Sequence, residues 1–185
     1  MTTTALLVMD VQRGIVERFG QDTDYLKRLA QAIDAAHAAE LPVIYVSVGF
    51  RAGHPEISPR NARFSAIAAS GRFAEGDPAA AIHPDVKPAE GDILVTKRRV
   101  SAFAGSDLDV VLRSLDADTL VLTGIATSGV VLSTLRQAAD LDYQLVVLAD
   151  GCLDADPEVH RVLTEKVFPS QATVSTVADW VATTR

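Results

Sequence analysis

The chain has 185 residues, 48% hydrophobic and 22% charged, with a formal net charge of -7. That length fits a single domain over residues 1–185, large enough to bury its own core, with the composition of a soluble globular protein. No compensating basic stripe accompanies the acidic balance, which argues against a nucleic-acid or anionic-membrane partner. No apolar run approaches the ~20 residues of a membrane span, and the opening MTTTALLVMD lacks the basic start of a secretion signal. One cysteine, Cys152, excludes an internal disulfide and fits a reducing cytoplasm, the expected location.

Taken in order, the chain opens with Ala5–Met9, an unalternating apolar run that suits a strand covered on both faces and ends abruptly in Asp10. Asp22 can cap a helix running to about Glu40, with Leu26, Leu29, Ala30, Ile33 and Ala36 on one face. Pro42 precedes a second strand, Val43–Val48. Gly49–Pro88 holds five of the eight prolines and reads as loops with a short helix near Ala79–Ile82. A long irregular connection of this kind often forms a lid or pocket wall. A third strand, Ile93–Thr96, ends in Lys97, and Ser106 or Asp107 can cap a helix through Leu115. A fifth strand over Leu145–Leu148 ends at Asp150-Gly151, and Asp156-Pro157 starts a helix with proline in its tolerated first turn. The chain closes with a strand, Ala172–Ser175, and a helix around Thr176–Ala182.

The fourth strand and its sequel, Leu120–Leu141, are central. Leu120–Thr123 is an apolar, β-branched run, Gly124 breaks it, and Thr127-Ser128-Gly129 can start a helix carrying Val131, Leu135, Ala138 and Ala139 on one face. Such a turn can hold an anion or an oxyanion, or can simply connect a strand to a helix. Gly124 and Gly129 have the spacing of a phosphate-binding loop, but Val130-Val131 stand where Lys-Ser/Thr is needed. Two glycines are also one short of a dinucleotide fingerprint. Six strands alternating with helices predict a parallel six-stranded sheet in a three-layer α/β/α sandwich of Rossmann-like type. Ligands of such sheets sit beyond the carboxyl ends of the strands. Asp10, Lys97 and the 124–129 turn all follow strand ends, and an acid beside a lysine there forms a proton-transfer pair in which each favours the other's charged form.

Asp10-x-Gln12, Thr96-Lys97 followed by Ser101-Ala102-Phe103, and Thr123-Gly124-Ile125-Ala126-Thr127 before a helix resemble the isochorismatase-like hydrolase superfamily over nearly the whole chain. The resemblance implies a parallel six-stranded α/β/α sandwich, often a homodimer or larger homo-oligomer, and hydrolysis of a small molecule. It implies Asp10 as proton donor and acceptor, Lys97 as its charged partner, and a non-proline cis bond between Ile125 and Ala126. The amides of Ala126 and Val130 would form an oxyanion hole. Gln12, Phe19, Phe103, Ile125, Ala126 and Ser128 are the residues expected to line the binding site.

Most members use a cysteine nucleophile, and its position here is Val130, which cannot attack a carbonyl. Cys152 follows the fifth strand, outside the motif, and Ser128 lacks a general base at a motif position. Ser128, Asp150 and His160 have the chain order of a hydrolase triad, but no G-x-S-x-G surrounds the serine. His37, His54, His83 and His160 are scattered, and Phe50–His54 lacks the histidine cluster of nicotinamidase-type relatives, so no metal and no cofactor are expected. The surviving chemistry is acid-catalysed hydrolysis of a vinyl ether, which needs Asp10 and Lys97 but no nucleophilic side chain. A catalytically silent binding member and an amidase with an atypical nucleophile are the alternatives. A polar, open cavity beside Asp10 favours the enzyme, and one filled by Val130, Phe19 and Phe103 favours the silent member.

Overall fold

A computed structural model describes residues 3–19, 22 and 24–184. Six strands form one parallel sheet: β1 (Thr3–Met9), β2 (Val43–Val48), β3 (Ile93–Lys97), β4 (Ala117–Ile125), β5 (Gln144–Leu153) and β6 (Thr173–Ser175). Their order is β3-β2-β1-β4-β5-β6, so the winding reverses between β1 and β4. That reversal opens a crevice at the carboxyl ends of these two strands.

The apolar runs of β1, β2 and β4 are buried on both faces, as unalternating strands must be. One face packs Leu7, Met9, Leu120 and Leu122 against the helices α4 (Leu108–Ser114) and α5 (Leu132–Asp140). The other packs Leu6, Val8 and Val121 against α2 (Tyr25–Ala38) and α7 (Val177–Thr183). The expected three layers are therefore present. Along the described residues no helix is long and apolar enough to cross a membrane.

Several local expectations shift. Helix α2 has Asp24, not Asp22, at its N-cap position; Asp22 accepts from the Asp24 amide and pairs with Arg28. Its buried stripe is Tyr25, Leu29, Ala32, Ile33 and Ala36, with Leu26 and Ala30 partly buried at the flank. Asp156 and Thr176 do cap the last two helices, α6 (Pro157–Val162) and α7, through their side-chain oxygens. Strand β5 continues through Asp150-Gly151 to Leu153, pairing Cys152 with Gly124 across a register shift.

Gly124 does not break β4. The strand runs on to Ile125, and the glycine is there because β1 comes too close for a side chain. A Cβ at Gly124 would lie 2.1 Å from the Met9 carbonyl oxygen, and its φ of +139° is closed to other residues. Gly124→Ala is expected to lower stability by at least about 3 kcal/mol, measured by chemical denaturation. A loss below about 1 kcal/mol would contradict this account of the β1–β4 contact.

Gly49–Pro88 is more ordered than its prolines suggest. It contains α3 (Ala62–Ser70), with the Asn61 side chain accepting from the Phe64 amide at one end and Gly71 in the left-handed conformation at the other. The short helix expected near Ala79–Ile82 is instead a pair of 3₁₀ turns, Pro78–Ala80 and Pro84–Val86. A further short helix, α1 (Arg13–Val16), follows Asp10-x-Gln12. Phe64 and Phe73 join Val48 and Phe50 in a third, smaller core.

Candidate active site

Asp10 follows β1 in the left-handed region, φ 57°, a conformation aspartate tolerates better than most residues. Its carboxylate turns toward the end of β2, where Oδ1 accepts from the Val48 amide at 3.1 Å. Lys97 ends β3, one strand further out, in register with Val48. Strands lie about 4.8 Å apart, so only a long side chain reaches from β3 across β2 to β1. Lys97 does so: its Nζ lies 2.9 Å from Asp10 Oδ2. The same Nζ donates to the Arg99 carbonyl at 2.9 Å. Two partners leave the ammonium a third N–H.

The pair is buried, Lys97 at 2% exposure and Asp10 at 7%. Burial pushes the Asp10 carboxyl above its usual range; Lys97, the Val48 amide and the more distant Arg63 oppose the rise without cancelling it.

The pair opens onto a cavity of about 140 Å³. Ile125, Ala126 and Val130 line it from the end of β4 and the turn beyond, Phe19 from the segment after α1, and Phe64 and Ile67 from α3. Arg18 and Arg63 line it as well. The expected residues Asp10, Lys97, Val130, Phe19, Ile125 and Ala126 therefore meet at one cavity. Between Ile125 and Ala126 the peptide bond is cis.

Three expected binding residues lie elsewhere. Phe103 is in the core on the α4–α5 face, its ring 6.2 Å from that of Tyr143. Gln12 is fully buried behind the cavity, where its amide nitrogen donates to the Val48 and Ala80 carbonyls at 2.9 and 2.7 Å. It clamps the end of β2 to the 3₁₀ turn. Ser128 is exposed on the outside of the turn, and its backbone N–H donates to Asp154 Oδ2 at 2.7 Å.

The turn itself, Thr127–Val131, is wider than an α-helical one, and Gly129 (φ -104°, ψ -105°) is its non-helical point. Helix α5 therefore starts at Leu132, later than Thr127-Ser128-Gly129 suggests. Thr127 Oγ1 lies 2.8 Å from His160 Nδ1. This hydroxyl–imidazole pair has the chemistry of a nucleophile and its base. Thr127 is fully buried, however, and neither residue lines the cavity, so the pair braces the turn from behind. Cys152 is buried beneath Gly124, with its thiol pushed up to about 12 by burial.

Arg18, Arg63, Phe64 and Ile67 escaped the sequence reading. The available signal was Asn61 three residues before Phe64, with Gly71 beyond: an N-cap, an apolar pair at Phe64 and Ile67, and a left-handed stop. Among the described residues no cluster of three or more His, Cys, Asp or Glu could hold a metal ion.

Residues 4–179 match the isochorismatase domain. The chain is 35% identical over 170 residues to the uncharacterized isochorismatase family protein YwoC of Bacillus subtilis, spanning 90% of this chain and 86% of that one. It is 34% identical over 203 residues to the ureidoacrylate amidohydrolase RutB of Methylobacterium radiotolerans, spanning 97% and 76%. The fold matches the crystal structure of a cysteine hydrolase from Pseudomonas syringae pv. phaseolicola with a TM-score of 0.88, at 24% identity and over 97% and 91% of the two chains. A parallel sheet with this strand order and a domain match over nearly its whole length give one conclusion: the chain belongs to the isochorismatase family, a family of hydrolases.

Proposed function

We propose that this protein hydrolyses a small enol (vinyl) ether by general acid catalysis, with Asp10 as the acid and Lys97 as its counter-charge. The observation that carries the reading is the buried Asp10–Lys97 contact of 2.9 Å on the wall of an open cavity with no cysteine, serine or threonine among its described lining residues. By the family resemblance, Val130 takes the position of the cysteine hydrolases' thiol, which leaves the covalent acyl route without its usual attacking atom. The acid route needs none. Asp10 transfers its proton to the β-carbon of the vinyl ether, and the C=C electron pair forms the new C–H bond. The resulting oxocarbenium ion is captured by water, which loses a proton, and the hemiketal collapses to a ketone and an alcohol. The proton released on water addition restores Asp10.

Two features support this over a silent member. The cavity is open beside Asp10: Val130 and Phe19 line it without closing it, and Phe103, the third group that could have filled it, lies in a different core. Asp10 is also shifted toward the protonated form that a general acid must supply. After transfer, the developing carboxylate is stabilised by Lys97, an interaction stronger in the transition state than before it.

The test is hydrolysis in D₂O of a panel of small 2-alkoxyacrylates, beside small amides of matched size. Carbon protonation places one deuterium on the former β-carbon of the product, read by mass spectrometry immediately after quenching. Turnover with that label is the expected result. Amide turnover alone, or vinyl-ether turnover without carbon-bound deuterium, would refute the mechanism.

A further inference from the structure

The turn that brings Ala126 and Val130 to the cavity is weakly held by its own backbone. The Gly129 and Val131 amides converge on one acceptor, the Ala126 carbonyl, at 3.0 and 3.3 Å. Gly129 is the non-helical point between Ala126 and Val130, and glycine resists rearrangement less than any other residue. The path from Ala126 to Val130 therefore depends on ties from outside the turn.

Two side chains supply them, both from the chain after β5. Asp154 Oδ2 accepts from the Ser128 amide at 2.7 Å, and its Oδ1 accepts from the Asp156 amide at 3.4 Å. His160 Nδ1 lies 2.8 Å from Oγ1 of the fully buried Thr127. Leaving that buried hydroxyl without a partner would carry a desolvation cost. His160 is itself anchored. Its N–H donates to the Asp156 carbonyl at 3.0 Å, and its carbonyl accepts from the buried Thr164 hydroxyl at 2.9 Å. Asp156 in turn caps α6 by accepting from the Glu158 and Val159 amides. Burial pushes the imidazole below its usual pKa, with Asp154 opposing, so His160 is uncharged at neutral pH. An uncharged imidazole has one ring nitrogen free to accept, and Nδ1 faces the Thr127 hydroxyl.

We infer that His160 is a positioning residue of the candidate active site: held by α6, it acts through Thr127 to keep residue 130 on the cavity wall that it shares with Lys97, Arg18 and Arg63. Neither His160 nor Thr127 lines the cavity. The effect passes along the backbone, from Thr127 to its neighbour Ala126 and, across Gly129, to Val130. This role is independent of the proposed reaction, because residue 130 is placed before any substrate binds.

The experiment introduces a thiol into the whole protein with Val130→Cys and follows its labelling by iodoacetamide across neutral and alkaline pH. Peptide mass spectrometry separates it from Cys152, and chemical denaturation sets the conditions under which each variant stays folded. Beside Lys97, Arg18 and Arg63 the introduced thiol should show an apparent pKa at least about one unit below the ordinary value of about 8.5. Adding His160→Leu should return it toward the ordinary value, a loss of about tenfold in thiolate at a pH well below both. Thr127→Val, which exchanges the hydroxyl for a methyl of similar shape, should do the same, and it carries the test if His160→Leu does not fold. His160→Asn keeps a polar atom where Nδ1 stands and should keep the depressed value. A merely structural role would move the denaturation midpoint and leave the thiol pKa alone. An introduced thiol of ordinary pKa overturns the inference, as does a depressed value kept in His160→Leu or Thr127→Val, or lost in His160→Asn. The expected pKa shifts without vinyl-ether turnover by the unmodified protein leave this role standing and remove the proposed reaction. Turnover by the unmodified protein beside an unmoved thiol pKa does the reverse.

Discussion

Asp10→Asn is expected to lower vinyl-ether turnover by about 10²–10⁴-fold, the range in which general acids contribute. Asparagine preserves the shape of the side chain and can still accept from the Val48 amide, so the loss isolates the proton. Lys97→Met should lose a comparable factor, because the carboxylate left after proton transfer would then lie buried without its cation. It should also destabilise the fold by about 3–5 kcal/mol, since removing one partner strands the other charge. The pH profile carries a sign. Turnover requires protonated Asp10, so it falls as pH rises through the Asp10 pKa, which burial places above the ordinary carboxylate value. Lys97 holds that pKa down, so the falling limb of Lys97→Met should move to higher pH. Losses below about tenfold in both variants, with ligand binding retained, would remove Asp10 and Lys97 from the chemistry.

Val130→Cys is expected to create a thiol that reacts with iodoacetamide about a thousandfold faster than Cys152. Thiolate populations set this ratio. Cys152 is buried, and a pKa of about 12 leaves a thiolate fraction on the order of 10⁻⁵ at neutral pH. A cysteine at position 130 would share the cavity with Lys97, Arg18 and Arg63, all of which favour a thiolate. Even an ordinary thiol of pKa 8.5 is about 3% ionised at neutral pH, and cationic surroundings increase that. Brief labelling followed by peptide mass spectrometry separates the two sites. Preferential labelling at position 130 would support a cysteine-hydrolase scaffold lacking its nucleophile. Labelling of folded protein at Cys152 first would mean that Val130 does not stand in an accessible attack position, and the silent binding member would then gain ground.

The sequence alone determined the sheet and the family. Runs such as Ala5–Met9 and Val43–Val48 are apolar without alternation, as strands covered on both faces are, and six strand-like runs alternating with helices predict parallel winding. Asp10 and Lys97 were legible for the same local reason, as charges directly after apolar runs. Where the reading slipped, the deciding contact was distant in the chain. Gly124 looks like a strand breaker until Met9 is seen pressed against it. Proline counts hid α3, whose Asn61 and Gly71 caps are weak signals inside a loop-like composition. Phe103 belongs to a resembling motif, yet its ring is drawn into the core beside Tyr143, forty residues away in the chain.

Tertiary structure alone decided that Lys97 spans two strand spacings to meet Asp10, that Arg18 and Arg63 line the cavity with no side-chain partner among the described residues, and that Thr127 pairs with His160 outside its lining. Periodicity and capping are properties of neighbouring residues, so sequence reports them. Pairing, burial and the direction a side chain faces depend on which distant segments pack together, and only the folded chain fixes those.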